Sequence, residues 1–172
     1  ELPLWDRHFA QGFPNLAGLQ SGAFYPPHLV FLVLSLFQSI RALFIFHFLV
    51  AAIGTYCLWR NWNYTRDLAT IGALLFTLGG VTVSLTNLLN HFQSAVWLPW
   101  LILVWERLLI TPRWNSFLCF IFVAALQVLA GSPELYAMSM GLAVLRAFWI
   151  CDSRSEVSYG RIVGLVVAGN VV

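Results

Sequence analysis

The sequence has very little charge. Asp, Glu and Arg together make up only 9% of its 172 residues, and lysine is absent. A soluble domain carries about 25% charged residues, so this chain has too little polar surface to cover a globule in water. Scarce charge also excludes intrinsic disorder, which combines low hydrophobicity with high charge. A net charge of +2 without a basic stripe argues against a nucleic-acid partner, which would need concentrated positive charge.

Cysteines and recognisable motifs are scarce too. The three cysteines, Cys57, Cys119 and Cys151, show no paired spacing, which excludes a visible disulfide framework or a metal-binding knuckle. Their places in or beside apolar runs favour small buried hydrophobes. The sequence contains no Walker loop, nucleophile elbow, metalloprotease helix or dinucleotide-binding fingerprint. The residues alone therefore predict no metal site and name no reaction.

Hydrophobic residues supply 60% of the chain, and the mean hydropathy is +0.80. This composition indicates an integral membrane protein, because the apolar segments approach the roughly 20 residues that a helix needs to cross a bilayer. We predict an all-α, polytopic transmembrane helix bundle that forms a single domain over residues 1–172. The predicted spans cover residues 42–59, 68–87, 94–110, 115–131 and 134–150, with a truncated span at 161–172.

The first 37 residues differ from the rest. Residues 1–27 are rich in polar side chains, proline and glycine, and we predict that they form an extracytoplasmic loop. The apolar segment 28–37 is too short to cross the membrane and is predicted to form a re-entrant or interfacial helix. Because the sequence begins with Glu1 and its last span is cut short, we interpret it as a fragment of a longer protein.

The distribution of arginine predicts the orientation. Threading the five complete spans places seven of the nine arginines on one side of the membrane, and Arg7 and Arg41 on the other. The positive-inside rule makes the arginine-rich side cytoplasmic. The opposite, outer side then receives most of the uncharged polar residues.

Several residues suit packing or anchoring. Aromatic belts are predicted at the two membrane boundaries, one made by Trp59, Trp62, Trp105, Trp114 and Trp149 on the cytoplasmic side and one by Trp97 and Trp100 on the other. Glu106, with the arginine after it, is predicted to be an interfacial anchor. Gln38 and Gln127 are expected to form hydrogen bonds between helices.

Three polar segments meet on the outer side in this topology: residues 1–27, 87–93 and 131–134. In the last of them Gly131 suits the position after a helix, Ser132 an N-cap and Pro133 the first helical residue. A site to which the chain contributes is therefore expected on the outer side. The polar and ionisable residues gathered there include Asp6, Arg7, His8, Asn87, Asn90, His91, Gln93, Ser132 and Glu134.

Several of the ionisable residues have a simpler interpretation. Glu134 is explained as a first-turn acid that the helix dipole favours, and Asp6 with Arg7 as a local ion pair. His91 is either an interfacial residue without a role or a group that binds phosphate or hydroxyl. His47 lies inside a predicted span, where an ionisable group is functional by default, although a neutral imidazole bonded to a neighbouring helix also explains it.

Parts of the sequence resemble a known family. Residues 2–5 (LPLW), 12–17 (GFPNLA) and 20–27 (QSGAFYPP) resemble the region after the first membrane helix in the YfhO-type bacterial membrane proteins. These belong to the GT-C glycosyltransferase superfamily. Residues 90–108 (NHFQSAVWLPW…ERL) and 130–134 (AGSPE) resemble two later segments of that family, with Ser and Glu where it usually has His and Gln.

The resemblance implies a GT-C-like fold and an enzyme of the bacterial cytoplasmic (inner) membrane with its polar site facing outside. Such an enzyme transfers a sugar from a polyprenyl-phosphate-linked donor to an acceptor, either a cell-envelope polymer or a lipid. The main catalytic acid of the family would precede Glu1 or lie near it, and Asp6 is the acid closest to that position. The implied donor- or acceptor-binding residues are Arg7, Gln20, Tyr25, His91, Gln93 and Glu134. The cofactor is unknown, and a divalent metal ion stays an option for stabilising the leaving phosphate.

Two other functions remain open. A transporter or flippase of a lipid-linked precursor would share the helical fold, but it would need polar groups lining a path at mid-membrane, and the interior spans hold almost no charge. A non-catalytic membrane scaffold would have lost the catalytic acid.

Overall fold

The computed structural model describes residues 22–153 together with Gln20, Gly160 and Gly164. The truncated span 161–172 and most of the predicted loop 1–27 lie outside these described residues. Among them the chain forms helices and turns and no strand. In chain order they are a 3₁₀ helix (Pro26–Leu32), α1 (Leu36–Asn61), α2 (Arg66–Leu78), α3 (Gly80–Leu85), α4 (Leu89–Ala95), α5 (Leu98–Ile110), α6 (Trp114–Leu129) and α7 (Pro133–Ser153).

The predicted all-helical fold is confirmed. Three helical stretches are long and apolar enough to cross a membrane: Leu36–Asn61, Arg66–Leu85 and Leu89–Ile110. Helix α1 alone is about 39 Å long at 1.5 Å per residue, which exceeds a hydrocarbon core of about 30 Å. Helix α6 is apolar but shorter.

The segment 28–37 is divided between two elements. Its first residues belong to the 3₁₀ helix, and its last two begin α1. Ser35 marks the division, because its backbone N–H donates to Gln38 Oε1 over 3.2 Å and so closes the start of α1. Gln38 therefore caps its own helix, and the prediction that it bonds to a neighbouring helix is wrong.

Two of the predicted spans are not continuous helices, because each contains a break. Gly79 adopts an extended conformation between α2 and α3, and the Thr82 hydroxyl donates to the Phe76 carbonyl oxygen over 2.6 Å, which satisfies an oxygen that the break exposes. Pro99 has no N–H to donate to the Ala95 carbonyl, so α4 ends at Ala95 and α5 begins at Leu98.

The turn between α6 and α7 has the predicted form. Gly131 lies two residues beyond Leu129, the last residue of α6, and has φ +97°, a conformation that an L side chain rarely adopts. Pro133 is the first residue of α7, and Glu134 lies in its first turn. Gln127 donates to Ser139 Oγ over 2.7 Å, so the predicted hydrogen bond between helices α6 and α7 is also confirmed.

Helix α5 lies at the centre of the bundle, against α1, α6 and α7. Trp105 is fully buried on it and stacks at an angle on Phe120, with 5.3 Å between the ring centroids. Trp97 is also buried. The prediction that these two tryptophans belong to boundary belts is wrong, because each faces the bundle interior and fills core volume.

The far end of α5 carries a buried ion pair. Glu106 is only 2% exposed, and its Oε1 accepts from Arg146 Nε over 2.7 Å. Asn61 and Trp62 at the end of α1 also donate to this carboxylate. Glu106 thus joins α1, α5 and α7 and is not the predicted interfacial anchor. We call this end of the bundle, residues 60–66 and 106–114, the arginine end.

Candidate functional site

The opposite end of the bundle gathers the polar residues that the sequence singled out. We call it the polar end and define it by residues 22–28, 90–94 and 131–134. These belong to the turn before the 3₁₀ helix, to α4 and to the α6–α7 turn. Hydrogen bonds link the three segments, although more than a hundred positions separate the first from the last along the chain.

A buried chain of hydrogen bonds forms the base of the polar end. Trp97 Nε1 donates to the Tyr25 hydroxyl over 2.8 Å, and that hydroxyl lies 2.7 Å from His47 Nε2. His47 Nδ1 lies 2.6 Å from the Leu43 carbonyl oxygen. Because a carbonyl oxygen only accepts, Nδ1 carries the proton and Nε2 accepts from Tyr25. When the His47 imidazole is neutral, every group in this series of hydrogen bonds has a partner. This supports the structural interpretation of His47.

His28 and Gln93 form a second layer. His28 Nδ1 lies 2.9 Å from the Gly22 carbonyl oxygen, and its Nε2 lies 3.0 Å from Gln93 Oε1. Gln93 is 1% exposed, and its Nε2 has no hydrogen-bond partner among the described residues. Buried polar groups are nearly always paired, so Gln93 offers a free hydrogen-bonding position beside His28.

His91 and Glu134 form the accessible rim. His91 Nε2 lies 2.9 Å from Glu134 Oε1, and the two side chains are 26% and 44% exposed. Asn90 donates to the Gly131 carbonyl oxygen over 3.2 Å, which turns its own Oδ1 toward His91 Nδ1 at 3.1 Å. Both ring nitrogens of His91 therefore face oxygens, an arrangement that the doubly protonated ring satisfies.

The α6–α7 turn fixes this rim in place. The Ser132 hydroxyl donates to Glu134 Oε1 over 2.8 Å. Buried Ser94 on α4 donates to the Gln127 carbonyl oxygen over 3.0 Å. A Cβ atom at Gly131 would lie only 3.0 Å from the Gln20 carbonyl oxygen, so glycine lets the first loop approach the turn closely.

Electrostatics differ between the base and the rim. Burial raises the pKa of Tyr25 well above its ordinary value, so the phenol stays a hydrogen-bond donor. The backbone N–H of Glu134 itself, then the Ser132 hydroxyl, hold the pKa of the Glu134 carboxyl below its ordinary value. Glu134 is therefore a carboxylate at neutral pH and accepts hydrogen bonds at the rim.

The residues that the structure describes do not build a metal site by themselves. No group of three His, Cys, Asp or Glu side chains is close enough to hold an ion among them. His91 and Glu134 supply two such groups, and His91 turns both nitrogens to protein oxygens. A divalent metal ion does not fit this set, and no chemical step is assigned to one here.

The structure brings together only some of the predicted site residues. His91 and Glu134 are in direct contact, whereas Gln93 and Tyr25 lie beneath them as buried residues. Gln20 is exposed, and its backbone borders the α6–α7 turn. The predicted catalytic Asp6 and the predicted phosphate-binding Arg7 lie outside the described residues.

Sequence reasoning missed His28 as a site residue. It stands at the start of an apolar segment, directly after two prolines. The available signal was its ionisable side chain at the edge of the membrane, where such a group is costly unless it is paired.

Comparisons of the chain with protein-family models, curated proteins and solved structures found no match. Fold and site together define a class of protein: a helical protein with three helices able to cross a membrane. Across the residues that the structure describes, two polar clusters lie at opposite ends of the bundle.

Proposed function

We propose that this chain is part of a GT-C-type membrane glycosyltransferase. It would transfer a sugar from a polyprenyl-phosphate-linked donor to a cell-envelope polymer or lipid on the extracytoplasmic face of the bacterial inner membrane. The polar end would carry the binding site. The protein would lie in the lipid bilayer, which also contains the lipid-linked donor.

One observation supports this proposal above the others. The segments on which the family resemblance rests include Tyr25, the 90–94 stretch and the 131–134 turn, and these three lie in one hydrogen-bonded cluster. If the resemblance had arisen by chance, the resembling segments would not be expected to contact one another in the structure. Their meeting supports a shared role for the resembling residues.

Sugar transfer needs little from the protein beyond charge and position. The acceptor hydroxyl oxygen attacks the anomeric carbon, a base removes the hydroxyl proton, and the bond to phosphate breaks with its electron pair leaving on the phosphate. A positive His91 at the rim would favour the charge that develops on that phosphate. Ionised Glu134 would hold His91 and accept hydrogen bonds from hydroxyl groups.

The base is assigned to another residue. A carboxyl group with a lowered pKa is a weak proton acceptor, so Glu134 suits binding and orientation better than proton removal. The resemblance gives the role of base to Asp6. Gln93 Oε1 is bonded to His28, and its unpaired Nε2 would donate to a sugar hydroxyl or a phosphate oxygen that reached it.

The test is sugar transfer by the full-length protein in lipid vesicles, with a polyprenyl-phosphate hexose labelled in the sugar. We expect His91→Gln to lower kcat/KM for the donor by about 100-fold, as the loss of one transition-state donor does. Glu134→Gln, which removes the carboxylate that holds His91, should also lower kcat/KM. Asp67→Asn is its matched control, since Asp67 also lies in the first turn of a helix, next to the arginine end. The control should transfer sugar at the rate of the unmodified protein.

Two results would contradict the proposal. In one, transfer survives Asp6→Ala, Arg7→Ala and His91→Gln alike. In the other, the labelled lipid crosses the vesicle membrane without any sugar transfer, which would favour the transporter or flippase.

A further inference from the structure

The arginine end contains a polar pocket, which the proposed sugar transfer does not use. Its volume is about 430 Å³, within the usual range for a small-ligand site. Unlike the apolar groove between Pro27 and Phe46, it carries charge. It is lined by Tyr56, Cys57, Arg60, Asn61, Asn63 and Arg107.

Both charged residues that line this pocket are arginines. Arg60 Nη1 donates to the Tyr64 carbonyl oxygen over 2.6 Å, which positions the guanidinium and leaves its other N–H groups available. Arg107 is exposed, and no residue in the described part of the chain pairs with its guanidinium. The pocket therefore combines a fixed arginine with an unpaired one.

Glu106, which precedes Arg107 in the sequence, does not neutralise these arginines. The side chain of Glu106 is buried in the bundle, where Arg146 and Trp62 donate to its carboxylate. Asn61 also donates to it, from the boundary of the pocket. The charge of Glu106 is balanced inside the bundle, and the pocket keeps the two positive charges of Arg60 and Arg107.

The pocket lies where membrane-crossing helices end. Arg60 is in the last turn of α1, and Arg107 is in the last turn of α5; both helices belong to stretches able to cross a membrane. Asn63, with φ +63°, turns the chain just beyond α1. In a bilayer, the ends of such helices would lie near the lipid headgroups. Arginine matches phosphate oxygens with paired N–H groups.

We propose that this pocket binds the phosphate of an anionic lipid headgroup in the cytoplasmic leaflet. Arg60 and Arg107 bind the phosphate oxygens, and Asn61 and Asn63 border the site where they can accept from or donate to headgroup hydroxyls. Basic pockets between helices on the cytoplasmic side recognise anionic headgroups in this way.

The experiment titrates the full chain in detergent with phosphatidylglycerol and counts bound lipid by native mass spectrometry. Arg107→Gln should raise the apparent Kd about fivefold, Arg60→Gln by a similar factor, and the double variant about 30-fold. Arg113→Gln is the matched control, because it removes an exposed arginine at the same end that does not line the pocket. It should leave the Kd unchanged.

Each alternative result overturns the assignment. If Arg113→Gln weakens binding as much as Arg107→Gln, or if no variant does, the lipid is held by general surface charge. If phosphatidylcholine binds as tightly, the pocket does not select negative charge. If soluble glycerol phosphate displaces the lipid at the same concentration as phosphatidylglycerol, the ligand is a free phosphate ester.

Loss of folding can be separated from loss of binding. Arg60 forms a backbone contact, so Arg60→Gln could lower stability, and circular dichroism of each variant identifies that case. Arg107 has no such contact within the described residues, which makes Arg107→Gln the deciding variant.

Discussion

At the scale of the residue, Tyr25 shows how one hydroxyl organises the polar end. It accepts from Trp97 and donates to His47 while being 1% exposed. Tyr25→Phe would leave a buried N–H and a buried ring nitrogen without partners, and we expect it to lower the free energy of unfolding by about 1–3 kcal/mol. Unfolding by sodium dodecyl sulfate in mixed micelles measures this. Tyr64→Phe, at a residue 44% exposed, should change stability by less than about 0.5 kcal/mol.

Glu134 makes stability depend on pH in a defined direction. Its folded pKa is lowered, first by its own backbone N–H and then by Ser132, so folding favours the ionised form. The stabilisation is complete above the ordinary pKa of 4.5 and is lost as the pH falls through the lowered folded value. The stability difference between the unmodified protein and Glu134→Gln should therefore shrink on acidification. A difference that grows toward acid pH would show that the carboxyl is not held ionised.

At the scale of the element, glycine sets how closely helices approach. A Cβ atom on Gly54 of α1 would lie 2.5 Å from Trp100 Nε1, whereas a Cβ atom on Gly141 of α7 would meet nothing within 4 Å. We expect Gly54→Ala to destabilise the bundle by about 1–3 kcal/mol through overpacking. Gly141→Ala should instead stabilise α7 by about 0.5–1 kcal/mol. Equal effects of the two substitutions would contradict this packing.

The residue types predicted where helices end better than where a helix breaks or which of its side chains are buried. The turn at Gly131 and Pro133 was predictable, because the residue types at those positions restrict the backbone. The break at Gly79 was not, since a glycine inside an apolar run is common in membrane helices. Trp105 was placed at a boundary because of its nearness to charged residues, but only the packing of α5 among three helices decides that it is buried.

At the scale of the whole molecule, the sequence predicted which segments meet but not which of their residues are buried. Counting spans places His91 and Glu134 on one side, and the structure brings them to 2.9 Å. Periodicity has no means to show that Gln93, two residues from His91, is buried with His28 beside it. The side of a short helix that faces inward depends on its neighbours. The catalytic role of Asp6 stays a prediction.

Both proposals depend on the orientation of the bundle. Sugar transfer outside requires the polar end to face outward, and an anionic lipid site in the inner leaflet requires the arginine end to face the cytoplasm. Seven of nine arginines on one side predict this arrangement. Both proposals therefore fail if the bundle has the opposite orientation.

The most direct test is labelling of single cysteines in intact cells with a membrane-impermeant maleimide. The three native cysteines, Cys57, Cys119 and Cys151, are first replaced by alanine. The exposed positions Ala23, at the polar end, and Pro112, at the arginine end, then carry Ala23→Cys or Pro112→Cys. The account predicts that Ala23→Cys reacts in intact cells and that Pro112→Cys reacts only after the membrane is opened. The reverse pattern, or reaction of both in intact cells, would contradict it.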